Sequence, residues 1–346
     1  MKLRIFFILF LGLGFFLGTD AEAMSKVFVR KQQEGPLPIG VETLLYQDTK
    51  RDRPVLVEVW YPTNAKAALD TPPDPVWIHP QEIRKAPIAP SKSKYPLILM
   101  SHGHMGERRD RSWLAEKLVP HGYVVASVEH HGNTWSGYNP LVSLRFWERA
   151  RDVHFVLDRV LEDPFLRDSI DANRIGFIGY SLGGMTGLSL GGAKAENVKE
   201  VIYLQQQKYR ELAPELVEQV DFSEAGSDFR DSRIKAMVLL CPAAFVHPPH
   251  TLERIKLPIA VVAAEKDHVL PHREHAERII RHVKPVKVKV LKKEVGHHTL
   301  LNRPSNLGKQ VLHEAICRDH EACDRGKVHE EVGDFTVSFF NEIFRR

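Results

Sequence analysis

Short apolar runs rich in β-branched residues recur along the chain and predict eight β-strands. They lie at 41–46, 55–61, 96–100, 123–128, 174–178, 234–240, 258–264 and 286–291. From the third run onward most are continuously apolar, which is typical of strands buried on both faces of a parallel sheet.

Segments with apolar residues at helical spacing lie between these runs, at 111–121, 144–161, 182–190 and 272–282, and a last one spans 334–344. Strands that alternate with helices predict an α/β fold, with the first two strands as an antiparallel start. We therefore expect a mostly parallel eight-stranded sheet with helices on both faces. Functional residues in such folds gather at the carboxyl ends of the strands.

Two segments interrupt the alternation of strands and helices. Residues 62–95 are rich in Pro, Lys and Ala and are predicted to be a long surface excursion. Residues 194–233 form a polar, partly helical insert, either a lid over the site or a solvated surface helix. No low-complexity linker divides the chain, so residues 24–346 are predicted to form a single domain.

The first 23 residues have the order of a secretory signal. Lys2 and Arg4 precede an uncharged apolar run at 5–17, and small residues end at Ala23. The apolar run is shorter than the ~20 residues that a membrane-spanning helix needs. We expect cleavage after Ala23 and export to the periplasm or the medium; an uncleaved N-terminal anchor is the alternative.

The net charge bears on the binding partners of the chain, and the cysteine content bears on its disulfide bonds. The formal net charge is +4, and no dense Lys/Arg block with interleaved aromatic residues occurs, so nucleic acid is not an expected partner. The three cysteines are too few for a disulfide scaffold. Cys317 and Cys323 lie close together in a polar stretch, and in an exported protein they are candidates for a disulfide; two free thiols are the alternative.

A candidate nucleophile follows the strand predicted at 174–178. The segment Gly179-Tyr180-Ser181-Leu182-Gly183 has the pattern G-x-S-x-G, with a strand before it and a helical segment after it. The glycines allow a very tight strand-to-helix turn that raises Ser181 above the sheet. The amide of Leu182 then lies beside the serine, where it can stabilise an oxyanion. An ordinary turn without chemistry is the alternative.

A second oxyanion donor is expected from the loop after the strand at 96–100, which reads Ser101-His102-Gly103-His104-Met105. Gly103 lets the backbone turn, so we assign the donor to the amide of His104, with that of Met105 as the alternative. His102 is expected to support the loop through its ring.

Metal binding is not expected at these histidines. His102, His104, His130 and His131 form no spacing pattern typical of metal ligands. We therefore predict neither a metal ion nor a cofactor.

The acid and the base are expected after later strands, in the order serine, acid, histidine. Asp267 follows the strand at 258–264, with Glu265 as the alternative. After the strand at 286–291 comes Gly296-His297-His298, and the glycine gives His297 the freedom to turn its ring inward. Neighbouring residues in an extended loop point apart, so His298 is expected to lie outside the reacting groups.

The chain resembles the α/β-hydrolases of the dienelactone-hydrolase-like group related to platelet-activating factor acetylhydrolases. The likeness rests on segments 38–41, 57–62, 101–103, 121–126, 151–158, 174–184, 265–267 and 316–319. It implies a serine esterase, and the family pattern Gly-His followed by a bulky residue favours His297. The chain departs from the pattern at His104-Met105-Gly106 and in the insert at 194–233. Dienelactone hydrolases proper use a cysteine nucleophile, and Ser181 argues against that activity.

We therefore predict an exported serine esterase that acts through an acyl-enzyme. The connection between the strands at 234–240 and 258–264 is too short for a cap domain, so an open site rimmed by Trp135, Tyr138 and Trp147 is expected. Short-chain acyl esters or acetylated and oxidised phospholipids suit such a site, and transient contact with a membrane surface would accompany lipid substrates. The alternatives are a polyester or lipid hydrolase, a serine peptidase and a non-catalytic binding protein.

Overall fold

The computed structural model describes residues 37–66, 74–209 and 214–344. The signal sequence predicted at 1–23 lies outside the described residues, as does a short part of the insert at 194–233. In the parts of the chain that are described, no helix is both long enough and apolar enough to cross a membrane.

The eight strands expected from sequence are all present; those at 234–240 and 286–291 have the predicted bounds, and the others have shifted ends. The described strands are β1 (Ile39–Asp48), β2 (Arg53–Pro62), β3 (Trp77–Ile78), β4 (Ile83–Arg84), β5 (Tyr95–Ser101), β6 (Val124–Val128), β7 (Ile170–Tyr180), β8 (Ile234–Leu240), β9 (Ile259–Ala264), β10 (Val286–Leu291) and β11 (Arg303–Pro304).

Nine of these strands form one sheet, in the order β10-β9-β8-β7-β5-β6-β2-β1-β4. From β6 to β10 all neighbours are parallel, whereas β1 and β2 pair antiparallel, as predicted. The expected number of eight strands was one too low. The ninth strand, β4, pairs with β1 inside the stretch assigned to a surface excursion, and its two residues are too few to show a period.

Helices cover both faces of the sheet. They are α1 (Ser112–Leu118), α2 (Pro140–Leu144), α3 (Glu148–Glu162), α4 (Leu182–Leu190), α5 (Val198–Tyr209), α6 (Pro214–Glu218), α7 (Pro249–Leu252), α8 (Ala276–His282), α9 (Gly308–Val311), α10 (Glu314–Cys317) and α11 (Arg325–Phe344).

Four of the predicted helices have different limits. The helix expected at 144–161 is α3, which begins four residues later because Leu144 ends α2. The helix expected at 272–282 begins at Ala276, and the last helix begins at Arg325, nine residues before the predicted start at position 334. The segment 111–121 ends in a 3₁₀ turn because Pro120 follows α1 and Gly122 takes a left-handed conformation with φ 82°.

Alternate residues of the central strands enter two separate cores. In β5, Leu97 and Leu99 pack in the core beneath α3, α4 and α8, whereas Ile98 and Met100 pack in the core beneath α1 and α11. This two-sided burial explains the continuous apolar runs in the sequence and confirms the predicted α/β class. Because these strands are parallel neighbours, the carboxyl ends of β5, β7, β8, β9 and β10 lie along one edge of the sheet.

The two cysteines near the C-terminal helix are free thiols, so the predicted disulfide is wrong for this structure. The Cys317 sulfur is directed at the carbonyl oxygens of Lys309 and Leu312, whereas Cys323 interacts with Thr299. Closeness in sequence did not bring the sulfurs together because α10 ends at Cys317 and the chain turns away.

Three fully buried histidines predict a strong dependence of stability on pH. Burial lowers the pKa of His130 to about 3 and that of His247 to about 3, and it holds the pKa of His102 well below its usual value. Below pH ~6.5 the unfolded chain binds these protons and the folded chain does not. Their contribution to stability is therefore complete above that pH and is lost as the pH falls toward 3.

We expect each of these rings to lower the free energy of unfolding by about 1.4 kcal/mol per pH unit below pH ~6, since its proton is bound only by the unfolded chain. Urea unfolding at about pH 7.5, 6 and 5 measures the slope. In His247→Gln the slope should decrease by about 1.4 kcal/mol per pH unit. A free energy that stays constant over this range would contradict the neutral state of the three rings.

Candidate active site

Ser181 occupies a strained turn between β7 and α4. Its backbone has φ 55° and ψ −116°, a left-handed conformation that costs a non-glycine residue about 1–3 kcal/mol. The turn is held by hydrogen bonds from the Ser181 amide to the Leu240 carbonyl (2.9 Å) and from the Ala243 amide to the Ser181 carbonyl (2.9 Å). Neighbouring backbone therefore stabilises a conformation that projects the serine hydroxyl from the sheet edge.

Close backbone approaches explain both glycines of the G-x-S-x-G pattern. A Cβ atom at Gly179 would lie 2.2 Å from the carbonyl oxygen of Gly183. A Cβ atom at Gly183 would lie 2.1 Å from the carbonyl oxygen of Ser101. Because the clashing atoms belong to the backbone of α4 and β5, they have little freedom to move.

We expect Gly183→Ala to destabilise the fold by about 3 kcal/mol or more, because β5 or α4 must shift to admit the methyl group. Gly191→Ala is the matched control at the other end of α4, where φ is −76° and the nearest obstacle is the Ile255 side chain at 3.2 Å. Thermal unfolding of the two variants measures the difference. Equal melting temperatures would contradict the tight approach at Gly183.

The structure brings His297 between Ser181 and Asp267. The ring Nε2 of His297 lies 3.0 Å from Ser181 Oγ, and its Nδ1 lies 2.7 Å from Asp267 Oδ2. The three side chains are less than one tenth exposed. A carboxylate can only accept, so His297 Nδ1 carries the proton and Nε2 is free to accept from the serine hydroxyl.

Asp267 is fixed by the turn that follows β9. Its Oδ1 accepts hydrogen bonds from the amides of Val269 (3.0 Å) and Leu270 (2.7 Å), which leaves Oδ2 for the imidazole. Glu265, the alternative acid, is exposed at the strand end. The local turn thus explains why the carboxylate two residues further along reaches the histidine.

The two neighbouring histidines point in different directions. The rings of His297 and His298 are perpendicular, with centroids 5.3 Å apart, and His298 interacts with the backbone of Ala315. Burial and the neighbouring His297 lower the pKa of His298 to about 4. His298 is consequently neutral near pH 7 and lies away from Ser181.

Cys241 is a neighbour of the site that sequence reasoning missed. It directly follows β8, has φ 42° and lies 3% exposed against Asp267. Burial and, after it, that carboxylate raise the pKa of its thiol well above the usual value. The thiol stays protonated and can donate to Asp267. Its position at the end of a strand adjacent to β9 was the available signal, since the carboxyl ends of parallel neighbours meet.

Cys241, Asp267 and His297 are residue types that bind metal ions. One possible ligand atom from each of them lies within 4.8 Å of the other two. The 2.7 Å contact between Asp267 and His297 is that of a hydrogen bond, whereas ligands around one ion lie further apart. The described geometry is therefore that of a hydrogen-bonded acid and base.

The loop after β5 lies beside the serine. A Cβ atom at Gly103 would lie 3.2 Å from Ser181 Cβ, so a larger residue would press the loop against the serine. His102 donates from Nδ1 to the Gly103 carbonyl (2.7 Å) and accepts from the His130 amide at Nε2 (3.0 Å). The ring of His102 thus supports the loop, while His104, the residue assigned the second oxyanion amide, is exposed next to it.

The amide of Leu182 is the other assigned donor. It opens α4, and the first amides of a helix have no partner within the helix. This free N–H lies directly after Ser181, at the positive end of the helix dipole.

Comparison with known proteins agrees with this architecture. The family described as platelet-activating factor acetylhydrolase, isoform II matches residues 83–138. Platelet-activating factor acetylhydrolase of Bos taurus is 30% identical in a match that covers 27% of this chain and 31% of that protein. A ferulic acid esterase structure from Streptomyces cinnamoneus covers 88% of this chain and 90% of its own, with a TM-score of 0.60 and 20% identity.

The chain has an α/β-hydrolase fold and is similar, over part of its length, to the platelet-activating factor acetylhydrolases.

Cutinase est1 of Thermobifida alba is a second kind of protein to which the chain is similar. It is 33% identical over 92 residues, which are 26% of this chain and 28% of the cutinase. The chain therefore matches less than a third of the length of either relative. The family match at 83–138 includes the loop from Ser101 to His104 and ends before Ser181.

The three aromatic residues expected at the rim of the candidate site have different environments. Trp135 is 69% exposed, and Tyr138 packs edge-on against His104 with ring centroids 5.4 Å apart. Trp147 is 2% exposed and packs between Phe146 and Phe222, so the prediction of a rim position for it was wrong. Trp147 lies just before α3, whose inner face forms the core.

Proposed function

We propose that the protein is a serine esterase that hydrolyses carboxylic esters through an acyl-enzyme. The observation that carries the proposal is the continuous hydrogen-bonded chain from Ser181 through His297 to Asp267 at the strained turn. The likeness to acetylhydrolases and a cutinase supports ester hydrolysis as the reaction.

Each side chain has a distinct role in the proposed mechanism. His297 Nε2 accepts the hydroxyl proton as Ser181 Oγ attacks the ester carbonyl, and Asp267 stabilises the imidazolium that forms. The amides of Leu182 and His104 receive the negative charge on the carbonyl oxygen. The protonated His297 then donates its proton to the leaving alcohol, which departs. Water attacks the acyl-enzyme by the reverse sequence of proton transfers and releases the acid.

We propose short-chain acyl esters, including acetylated or oxidised phospholipids, as substrates. The connection at 241–258 contains only the four-residue helix α7, which is too small to be a cap domain. The exposed Trp135 and the neighbouring Tyr138 lie on the loop after β6 and offer an apolar rim. Polyester hydrolysis is the second candidate, since the cutinase likeness favours it.

A panel of p-nitrophenyl esters of increasing acyl length, with acetylated phospholipids and a suspended polyester, separates these substrates. We expect the highest kcat/KM with acetyl to butyryl chains. Faster release from the polyester than from any soluble ester would select the second candidate. No turnover of any ester, with no labelling of Ser181 by a fluorophosphonate, would overturn the proposed function.

We also propose export, with removal of residues 1–23 and retention of residues 24–346 as one domain. The order of charged, apolar and small residues at the N-terminus supports this proposal. A secreted or periplasmic chain that begins at Met24 is the expected result of N-terminal sequencing. A chain that retains residues 1–23 would contradict it.

A further inference from the structure

A second chain of serine, histidine and aspartate lies beneath the loop 101–104. Ser101 Oγ is 2.8 Å from His130 Nε2, and His130 Nδ1 is 3.1 Å from Asp152 Oδ2. Each of the three is at most 1% exposed. Ser101 is the last residue of β5 and, unlike Ser181, does not lie in a strained turn that projects its side chain. Because its hydroxyl is buried, no ester can reach it, and these three residues have another role.

In this buried series of three residues, each hydrogen bond is donated toward Asp152. Burial would raise the pKa of Asp152, but the hydrogen bond from His130 and the charge of Arg53 outweigh burial and lower it. Burial and the charge of Arg149 keep His130 neutral. His130 Nδ1 therefore donates to the Asp152 carboxylate, and Nε2 accepts from the Ser101 hydroxyl.

Arg149 begins this chain and joins it to the elements around Ser181. Its Nη2 donates to Ser101 Oγ (3.2 Å) and to the carbonyl of His102. Its Nη1 donates to Asn133 Oδ1 (2.8 Å), and its Nε donates to Thr186 Oγ1 (3.2 Å). One guanidinium thus connects α3 to the loop after β5, the loop after β6 and α4.

The guanidinium of Arg149 is 3% exposed, and burial lowers its pKa to about 9, so it remains charged near pH 7. Asp152, the acid three residues further along the same helix, already accepts hydrogen bonds from His130 and Arg53. A buried cation bonded mainly to neutral oxygens costs folding free energy, which well-packed apolar residues would avoid. Its charge therefore acts on the carbonyls and hydroxyls of the loop beside Ser181.

We propose that Arg149 is a positioning residue of ester hydrolysis, which fixes the loop 101–104 against α4 so that the loop amides meet the developing oxyanion. The inference rests on the proposed function. Misplacement of a donor by about 1 Å is enough to lower a rate by about 100-fold. The effect should therefore appear in the transition state and leave ester binding largely unchanged.

The test compares Arg149→Met and Arg149→Lys with wild type, with rates normalised to sites titrated by a fluorophosphonate. Arg149→Met should lower kcat by about 30-fold, change KM by less than about threefold and weaken inhibition by a boronic acid by about 30-fold. Arg149→Lys keeps a charge and should recover part of each loss. A variant that is merely less stable would lose titratable sites and keep normal values per site.

Arg151→Met is the matched control on the same helix, where the side chain pairs with Glu148 and Glu224 on the outside. It should behave like wild type. If Arg149→Met does not fold, Ser101→Ala, which removes the hydroxyl between Arg149 and His130, should show the same parallel loss of kcat and boronic acid affinity.

Normal kcat and boronic acid affinity per site in Arg149→Lys and Ser101→Ala, or in Arg149→Met, would overturn the inference. Such a result with an active wild type leaves the esterase proposal intact. A wild-type protein that turns over no ester would instead refute the proposed function itself.

Discussion

Ser181→Ala is expected to lower kcat for p-nitrophenyl acetate by about 10⁴- to 10⁶-fold, because it removes the hydroxyl that forms the acyl-enzyme in the proposed mechanism. The methyl side chain fits the turn, so the melting temperature should stay close to that of wild type. Stopped assays on purified protein measure the loss. Ser136→Ala is the control, since that hydroxyl is exposed on the rim loop and bonds only Glu107 among the described side chains.

Retention of more than about one hundredth of the wild-type kcat in Ser181→Ala would mean that another group attacks the ester. Cys241 is the nearest other nucleophile type, but its buried thiol has a raised pKa and contacts Asp267. The expected result therefore also separates a serine enzyme from the cysteine chemistry of dienelactone hydrolases proper.

The second large effect is the difference in kcat expected when each of two neighbouring histidines is replaced. His297→Ala should lower kcat by about 10⁴-fold or more, because it removes the group that accepts the Ser181 proton. His298→Ala should keep kcat within about tenfold, since its ring interacts with the backbone near α10 and not with Ser181. Each variant is the control for the other, and both are assayed with the same ester.

A larger loss of kcat in His298→Ala than in His297→Ala would assign the base to His298 and contradict the orientation of the rings. Equal, severe losses in both variants would indicate that the 3₁₀ turn His297–Leu300 had unfolded, which circular dichroism and thermal melting detect. The predicted pair of results is therefore specific to the base.

Local patterns were sufficient to locate the elements that carry the site. The approach of Gly179 to Gly183 and the turn after Asp267 act within a few residues, so their effect is visible in sequence. The continuous apolar strands were equally visible because the sheet is buried on both faces. These features placed Ser181, Asp267 and His297 at one edge of the sheet before any distance was known.

Long-range contacts were not accessible in the same way. The partners of Arg149 lie 16 to 48 residues away, and no periodicity reports that a charged side chain of α3 points into the protein. The same limit applies to Trp147, whose aromatic side chain suits a rim and a core equally well. The free thiols of Cys317 and Cys323 likewise depend on where each side chain points after folding.

The most direct test of the proposed esterase is to trap the acyl-enzyme. The protein is mixed with p-nitrophenyl acetate, quenched in acid within the first turnover, digested and mapped by mass spectrometry. We predict one acetyl group per protein, on Ser181 and absent from Ser181→Ala. Ester turnover without an acetylated Ser181, or with the acetyl group on another residue, would contradict the proposed mechanism.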